Sequence, residues 1–507
     1  MSSAPQPTYA PGPGPRRQDE ATASAKTKIV ATVGPACAER LGELIDTGVD
    51  LFRLNFAHGK HDWLAEIVAA IRREAGQRGR AVGILGDLAG PKIRLQEIPG
   101  GMVRLELDAC VELVRGERSD DPFQLCSNYA PLVDELSVGD RVLLADGTVA
   151  LRVVDKCGTG DRVECRVEHP GTLRSRQGIN LPGVRLSVPS LTEKDLVDLG
   201  FALEQGLDFV SLSFVRTAAD VRGLQQEILR RRPETVPAVV AKIEKTEALA
   251  DLEAIVEAAD AVMVARGDLG VEADLVEVPL LQKRIIRACN ERRTPVITCT
   301  QMLDSMERNS RPTRAEATDV VNAVLDGSDA VMLSGETAIG EHPVDSVAMM
   351  SRLVRAAESW GSAGGGRLGR PGTASSPRLA AHDVTEAVVQ GAAATAVRLG
   401  ARLIVVATHS GRTALAVSQQ RLPIPILGLS DRAETARRMA LYWGVTPLVT
   451  EAVRGNPPEL LALASRWGHA HGLLGAGDKL VLIASSNWSA PGHDLLLVHE
   501  VAEQGRA

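Results

Sequence analysis

From residue 28 onward, short apolar runs alternate with stretches whose apolar residues recur every three or four positions. The runs are KIVATV (28–33), VDLFRLNF (49–56), AVGILGD (81–87), DFVSLSF (208–214), AVVAKI (238–243), AVMVA (261–265), PVITCT (295–300) and AVMLS (330–334). Each is short for a helix and rich in β-branched residues, so each predicts a buried strand. Segments such as LAEIVAAIRREAG (64–76) separate most of them and predict amphipathic helices. Strand–helix alternation predicts a parallel sheet, and eight such strands spread over a typical barrel length predict a (β/α)8 barrel.

The connection between Asp87 and Asp208 breaks this rhythm. Residues 93–187 alternate apolar and polar positions in MVRLELDACVELV, DRVLLADGTVALRVV and DRVECRVEH, with turn signals at ADG and GTGD. They predict an all-β domain inserted after the third barrel strand. After the barrel, GSAGGGRLGRPGTASSPR (361–378) reads as a linker. A helix over 383–399 and strands RLIVVAT (402–408), PILGL (425–429) and KLVLIAS (479–485) then predict a doubly wound α/β domain. The expected division is a disordered tail over 1–25, a barrel over 26–92 and 188–360, an insert over 93–187, the linker 361–378, and a C-terminal domain over 379–507.

Composition adds limits. A chain of 507 residues is too long for one core, and aromatic residues make up only 3%, so aliphatic side chains must do most of the packing. A net charge of -7 argues against a general nucleic-acid binder. The 7 cysteines are scattered without a CxxC pair, which reads as reduced thiols in a cytoplasmic protein. No apolar run reaches bilayer length, so no membrane partner is expected.

Barrel chemistry collects at the C-terminal ends of strands, and here those ends are unusually polar. They offer Arg53, Asn55 and His58, then Asp87, Lys242 with Glu244, Arg266 with Asp268, and Thr300. Glu244 and Asp268 follow adjacent strands, so their carboxylates can converge on a hard cation, Mg2+ or Mn2+, rather than zinc. A salt bridge from either acid to Arg266 or Lys245 is the alternative. Lys242 lies two residues before Glu244 and shares its strand face, where an ammonium could stabilise charge on a phosphoryl group or an enolate. The glycines of GDLG (267–270) allow backbone N–H groups to approach an anion.

Several long stretches resemble pyruvate kinases: TKIVATVGPA (27–36), LFRLNFAHG (51–59), AKIEK (241–245), VMVARGDLGVE (262–272), TQMLDSM (300–306) and RPTRAEATDVVNAVLDGSDAVMLSGETAIGEHPV (311–344). The resemblance covers the chain from about residue 26 and includes the positions of the insert and the C-terminal domain. It implies transfer of the phosphoryl group of phosphoenolpyruvate to ADP, giving ATP and pyruvate. On this resemblance Glu244 and Asp268 match the divalent-metal ligands, and Lys242 matches the catalytic lysine beside the transferred group. Thr300 matches the threonine that helps deliver a proton to the enolate. The Gly267-Asp268 backbone, with Thr300, would hold the substrate carboxylate, and Arg53 would bridge phosphates. Asn55 and His58 fall on the monovalent-cation and nucleotide sides, while Arg94 and Lys194 would reach nucleotide phosphates. Asp146 matches an acid at the nucleotide mouth, and an Asp-Gly turn explains it equally well. The insert would act as a lid, and the assembly would be a homotetramer.

Departures from the family pattern carry information. Many members bind K+ through Asn, Ser and Asp side chains and a Thr carbonyl. Here Asn55 and Asp87 remain, but Ala57 and Leu88 stand at the serine and threonine positions, and Lys92 replaces a glutamate. A tethered ammonium can supply the charge of a bound monovalent ion, so activity without K+ is expected. In ATHSGRTA (407–414), Thr408, Ser410, Arg412 and Thr413 resemble a phosphate-binding effector loop, suited to an anionic effector such as a sugar phosphate or AMP. The second effector loop departs more, with His493-Asp494 where the pattern is close to Thr-Asn. A lyase barrel would leave Arg53, His58, Arg94, Lys194 and the insert unexplained. A non-catalytic binding paralogue predicts loss of Lys242, Glu244, Asp268 or Thr300, and all four are present.

Overall fold

The computed structural model describes residues 25–156, 160–184, 186–361, 383–488 and 492–502. The expected tail, apart from Ala25, and the expected linker, apart from Gly361, lie outside the described residues. Eight parallel strands close into a barrel: β1 (Lys28–Thr32), β2 (Leu51–Asn55), β3 (Gly83–Asp87), β4 (Phe209–Leu212), β5 (Ala238–Ile243), β6 (Ala261–Ala265), β7 (Val296–Cys299) and β8 (Ala330–Leu333). Each pairs with its neighbours in chain order, and β1 closes on β8. Alternating side chains feed two cores. Val30, Leu51, Leu85 and Met263 pack inside the barrel, whereas Ile29, Phe52, Ile84 and Val262 pack outward in the larger core that includes the covering helices. Burial on both faces is why these strands read as continuous apolar runs.

Several expected runs overshoot the observed strands at their C-terminal ends. Asn55, Leu212 and Cys299 end β2, β4 and β7, after which the chain leaves the sheet. Just beyond the ladders, Phe214 and Thr300 take positive φ values of 54 and 66. Loops begin where polar side chains are turned into the mouth.

The insert leaves β3 through Leu88-Ala89-Gly90-Pro91-Lys92. Gly90 has φ 66, and a Cβ there would meet the Phe214 ring at 2.9 Å and Ser213 at 3.0 Å, so glycine is required on both counts. Its N–H donates to Asp195 Oδ1 at 3.0 Å. Beyond the hinge come a six-stranded sheet and a two-stranded ribbon around their own core of Val111, Leu113, Val142 and Leu151. Within MVRLELDACVELV the chain turns at Asp108, φ 62, between strands Met102–Leu105 and Cys110–Val114.

The C-terminal sheet contains β9 (Leu403–Ala407), β10 (Ile426–Ser430), β11 (Val445–Val449), β12 (Lys479–Ala484) and β13 (Leu495–Glu500), in the order β11–β10–β9–β12–β13. The pattern-based reading omits β11 and β13. Both are edge strands, and β11 carries Pro447, which an interior strand would not tolerate. β13 is the one strand that runs antiparallel to its neighbour. No helix among the described residues is long and apolar enough to cross a membrane.

The C-terminal domain docks on the N-terminal floor of the barrel through buried charges. Asp208, just before β4, accepts from Arg72 Nη2 at 2.8 Å, Arg437 Nε at 2.6 Å and the Ile84 N–H at 2.9 Å. Asp329, just before β8, accepts from Arg421 Nη2 at 2.9 Å and Gln419 Nε2 at 3.1 Å. Lys28 Nζ donates to the Val445 carbonyl at 2.7 Å. Asp329 is fully buried and Arg421 is its cation. Arg421→Met should therefore lower stability by about 3–5 kcal/mol, because it strands an acid in low dielectric. An unfolding midpoint equal to that of the parent chain would contradict this.

Candidate active site

Three adjacent strands bring polar side chains level with one another near their C-terminal ends. Asn55 pairs with Asp87, and Asp87 pairs with Ser211, so the last residues of β2 and β3 and the penultimate residue of β4 lie at the same height. Asp87 is 2% exposed and gathers the first group of charges. Arg53 donates to its Oδ2 through Nε at 2.8 Å and Nη2 at 2.5 Å, Ser211 donates to Oδ1 at 2.5 Å, and Lys242 Nζ lies 3.3 Å from Oδ1. Arg53 also donates from Nη1 to Thr32 Oγ1 at 3.1 Å. Burial pushes the Asp87 carboxyl up, but Lys242 and Arg53 outweigh it and hold it down at about 2.

Lys242 links this group to the next. Its ammonium donates to Ser213 Oγ at 2.7 Å and pairs with Glu244 Oε1 at 2.9 Å. Burial works to lower its pKa, yet Asp87 and Glu244 together raise it above the ordinary lysine value, so it is a fixed cation. Glu244 is 1% exposed, and the Phe214 N–H donates to its Oε2 at 2.6 Å. Burial is the main reason its pKa is raised, and Asp268 adds to the rise.

Asp268 does not sit on a glycine-rich loop. GDLG forms most of a short helix, Arg266–Glu272, with Asp268 in its first turn. Neither Gly267 nor Gly270 uses positive φ; the segment continues from β6 straight into helix. The Gly267 N–H already donates to Thr300 Oγ1 at 2.7 Å, and that hydroxyl donates to the Cys299 carbonyl at 2.6 Å. A β-branched residue at φ 66 is strained, and Thr300 is held there by its surroundings. Arg266 does the holding: Nη2 donates to the Thr300 carbonyl at 2.7 Å, and Nη1 to Asp319 Oδ2 at 2.6 Å. Arg266 thus pairs with Asp319, and Lys245 pairs with Glu272 at 3.1 Å, so neither neutralises Glu244 or Asp268.

The hinge lysine also arrives here. Lys92 Nζ donates to Asp268 Oδ1 at 3.1 Å, and among the described residues it makes no such contact with Asn55 or Asp87. Asn55 Oδ1 instead accepts from the Ala57 N–H at 3.0 Å. The residues expected on the nucleotide side spread outward. His58 is exposed, Arg94 donates to the Arg176 carbonyl at 3.3 Å, and Lys194 donates to Asp198 Oδ2 at 2.6 Å and the Phe56 carbonyl at 2.8 Å. Asp146 lies with Ala145 and Gly147 in a positive-φ turn between Arg141–Leu144 and Val149–Lys156.

Sequence reasoning passed over Ser211, Ser213, Thr32 and Asp319. The two serines alternate in VSLSF, Ser211 on the inward face of β4 and Ser213 just beyond its end, and that alternation is the signal that could have found them.

In the C-terminal domain, Thr408 Oγ1 accepts from the Gly411 N–H at 3.2 Å. The His493 ring lies between Thr413 Oγ1, at 2.8 Å from Nδ1, and the Ala407 carbonyl, at 2.6 Å from Nε2. A carbonyl only accepts, so Nε2 carries the proton and Thr413 donates to Nδ1 in the neutral ring. Burial lowers the His493 pKa.

The family model described as pyruvate kinase, barrel domain, matches residues 24–347, and that described as pyruvate kinase, alpha/beta domain, matches 386–499. The chain is 40% identical over 484 residues to a pyruvate kinase of Geobacillus stearothermophilus, covering 94% of this chain and 81% of the relative. It is 42% identical over 491 residues to one of Corynebacterium glutamicum, covering 95% and 98%. The crystal structure of a pyruvate kinase from Cryptosporidium parvum superposes with a TM-score of 0.86 at 32% identity, covering 96% of this chain and 98% of the other.

Asp87→Asn should cost about 3–5 kcal/mol at neutral pH, since it leaves Arg53 and Lys242 buried without their shared acid. The folded pKa is depressed, so the carboxylate's contribution is complete above about pH 4 and is lost as pH falls toward about 2. The midpoint difference between variant and parent should therefore shrink on acidification. Equal midpoints at pH 7 would refute the assignment.

Proposed function

Because the chain belongs to the pyruvate kinase family, whose members transfer the phosphoryl group of phosphoenolpyruvate to ADP, we propose residue roles within the cluster at the barrel mouth. The chain is a phosphotransferase whose substrates and products are phosphoenolpyruvate, ADP, ATP and pyruvate. The carrying observation is the fixed cation pair Arg53 and Lys242, braced on one buried carboxylate.

Glu244 and Asp268 would hold the family's divalent metal, Mg2+ or Mn2+. They offer oxygen only, and no cluster of three or more His, Cys, Asp or Glu able to hold a metal occurs among the described residues. The remaining ligands would thus come from substrate oxygens and water. Bound there, the metal would offset charge on the phosphoryl oxygens.

Lys242 is the catalytic cation. Its ammonium is held by Asp87, Ser213 and Glu244, so it needs no reorganisation as charge develops on the phosphoryl group and the enolate. Arg53 bridges phosphate oxygens. The Gly267-Asp268 backbone and Thr300 receive the substrate carboxylate, and the Thr300 hydroxyl, oriented by its strained backbone, serves proton delivery to the enolate. His58, Arg94 and Lys194 meet the nucleotide. The segment 93–187 works as a lid over a barrel formed by 26–92 and 188–360, excluding water that would hydrolyse the phosphoryl group. No protein nucleophile is required, because positioning and charge supply the catalysis.

We further propose that K+ is dispensable. The Asn55 carboxamide is spent on the Ala57 N–H, Asp87 is spent on Arg53, Lys242 and Ser211, and Lys92 brings its ammonium to Asp268. The C-terminal loop Thr408–Thr413 is proposed to take an anionic effector, a sugar phosphate or AMP, with His493 competing for the Thr413 hydroxyl. A homotetramer in the cytoplasm fits the family. Adjacent exposed Leu275, Val276 and Leu280 support a buried subunit contact, and the six described cysteines are free.

Lys242→Met should reduce turnover at least about a hundredfold while leaving metal binding largely intact; wild-type turnover would overturn its role. In Na+- and K+-free buffer containing Mg2+, pyruvate should form from phosphoenolpyruvate and ADP at a rate that KCl does not raise substantially. Negligible activity restored by KCl would sink the claim of K+ independence.

A further inference from the structure

Each carboxylate assigned to the divalent metal is met by a lysine, and the two lysines are held very differently. Lys242 is buried and braced on Asp87, Ser213 and Glu244 together. Lys92 has one acidic partner among the described residues, Asp268 at 3.1 Å, and that pair is 31% and 26% exposed. Its backbone is fixed at the hinge: its N–H donates to the Gly90 carbonyl at 2.9 Å, and Asn128 Nδ2, from the insert, donates to its carbonyl at 3.3 Å. The stem is flexible and the ammonium is partly solvated, so Lys92 can move where Lys242 cannot.

We infer that Lys92 is an internal competitor of the divalent metal: its ammonium neutralises Asp268 in the metal-free enzyme and must leave that oxygen when the metal arrives. An ammonium and a divalent ion repel each other across one carboxylate, so each weakens the other's hold. The consequence reaches the lid. The helix Arg266–Glu272 is held from the insert side at both ends, by Lys92 on Asp268 and by Asn180 Nδ2 on Glu272 at 3.4 Å. Metal loading releases the hinge-side hold and leaves the far one. The freed ammonium then faces the anionic substrate, so one side chain ties metal arrival to lid position and to charge supplied at the phosphoryl group. Lys92 is a positioning residue in this scheme.

The inference rests on the metal assignment to Glu244 and Asp268, and the test separates the two. Mn2+ binding to the full-length enzyme without substrates is measured by electron paramagnetic resonance of free Mn2+, with circular dichroism confirming that each variant is folded. Lys92→Gln and Lys92→Met should each bind Mn2+ about tenfold more tightly than the parent, within the roughly 5–150-fold range of couplings between sites. Lys92→Arg, which keeps the charge, should bind as the parent does. Glu244→Gln and Asp268→Asn should lose Mn2+ binding. If those two lose it while the neutral Lys92 variants bind no tighter than the parent, competition by Lys92 is refuted. If Glu244→Gln and Asp268→Asn bind Mn2+ as the parent does, the metal assignment fails instead.

Discussion

A carboxylate taken out of water must be given compensating charge and hydrogen bonds, and Asp87 imposes that demand on the whole mouth of the barrel. Its oxygens are met by Arg53 from β2, Lys242 from β5 and Ser211 from β4. Those partners can reach it because the β2–β3 and β3–β4 registers set Asn55, Asp87 and Ser211 level. Glu244 then balances the remaining side of Lys242. The resulting lattice has few ways to rearrange, and a rigid lattice of charge is what phosphoryl transfer asks of a protein that makes no covalent intermediate.

Charge works at both ends of the same strands. At the floor, Asp208 and Asp329 join the C-terminal domain to β3, β4, β7 and β8 through Arg437, Arg421 and main-chain N–H groups. At the mouth, those strands deliver Asp87, Ser211, Cys299 and the strained Thr300. A shift of the C-terminal domain would therefore be felt by strands that end in the site. The closely packed barrel core between the two layers, with Val30, Leu85 and Met263 inside it, leaves little slack to absorb such a shift.

Much of the fold was legible because buried parallel strands leave short aliphatic runs that nothing else in the chain imitates. The strands β5 and β6 agree with AVVAKI and AVMVA to the residue. The edges were harder. The strand β11 carries Pro447 and is partly exposed along most of its length, so its pattern is neither an apolar run nor a clean alternation. GDLG carries two glycines yet lies within the helix Arg266–Glu272, because tertiary support outweighs local preference.

The sequence by itself determined the order of strands and helices, the place of the insert, and which polar side chains leave the strand ends. These follow from residue type and spacing along the chain. Only the tertiary structure decided the partners. Arg266 went to Asp319, Asn55 to its own loop, and Lys92 to Asp268. A side chain's partner depends on which groups barrel closure and hinge geometry bring within about 3 Å, and residues such as Lys92 and Asp268 stand far apart in the chain. Lys92 read as a stand-in for a potassium ion; its position makes it also a rival of the divalent one.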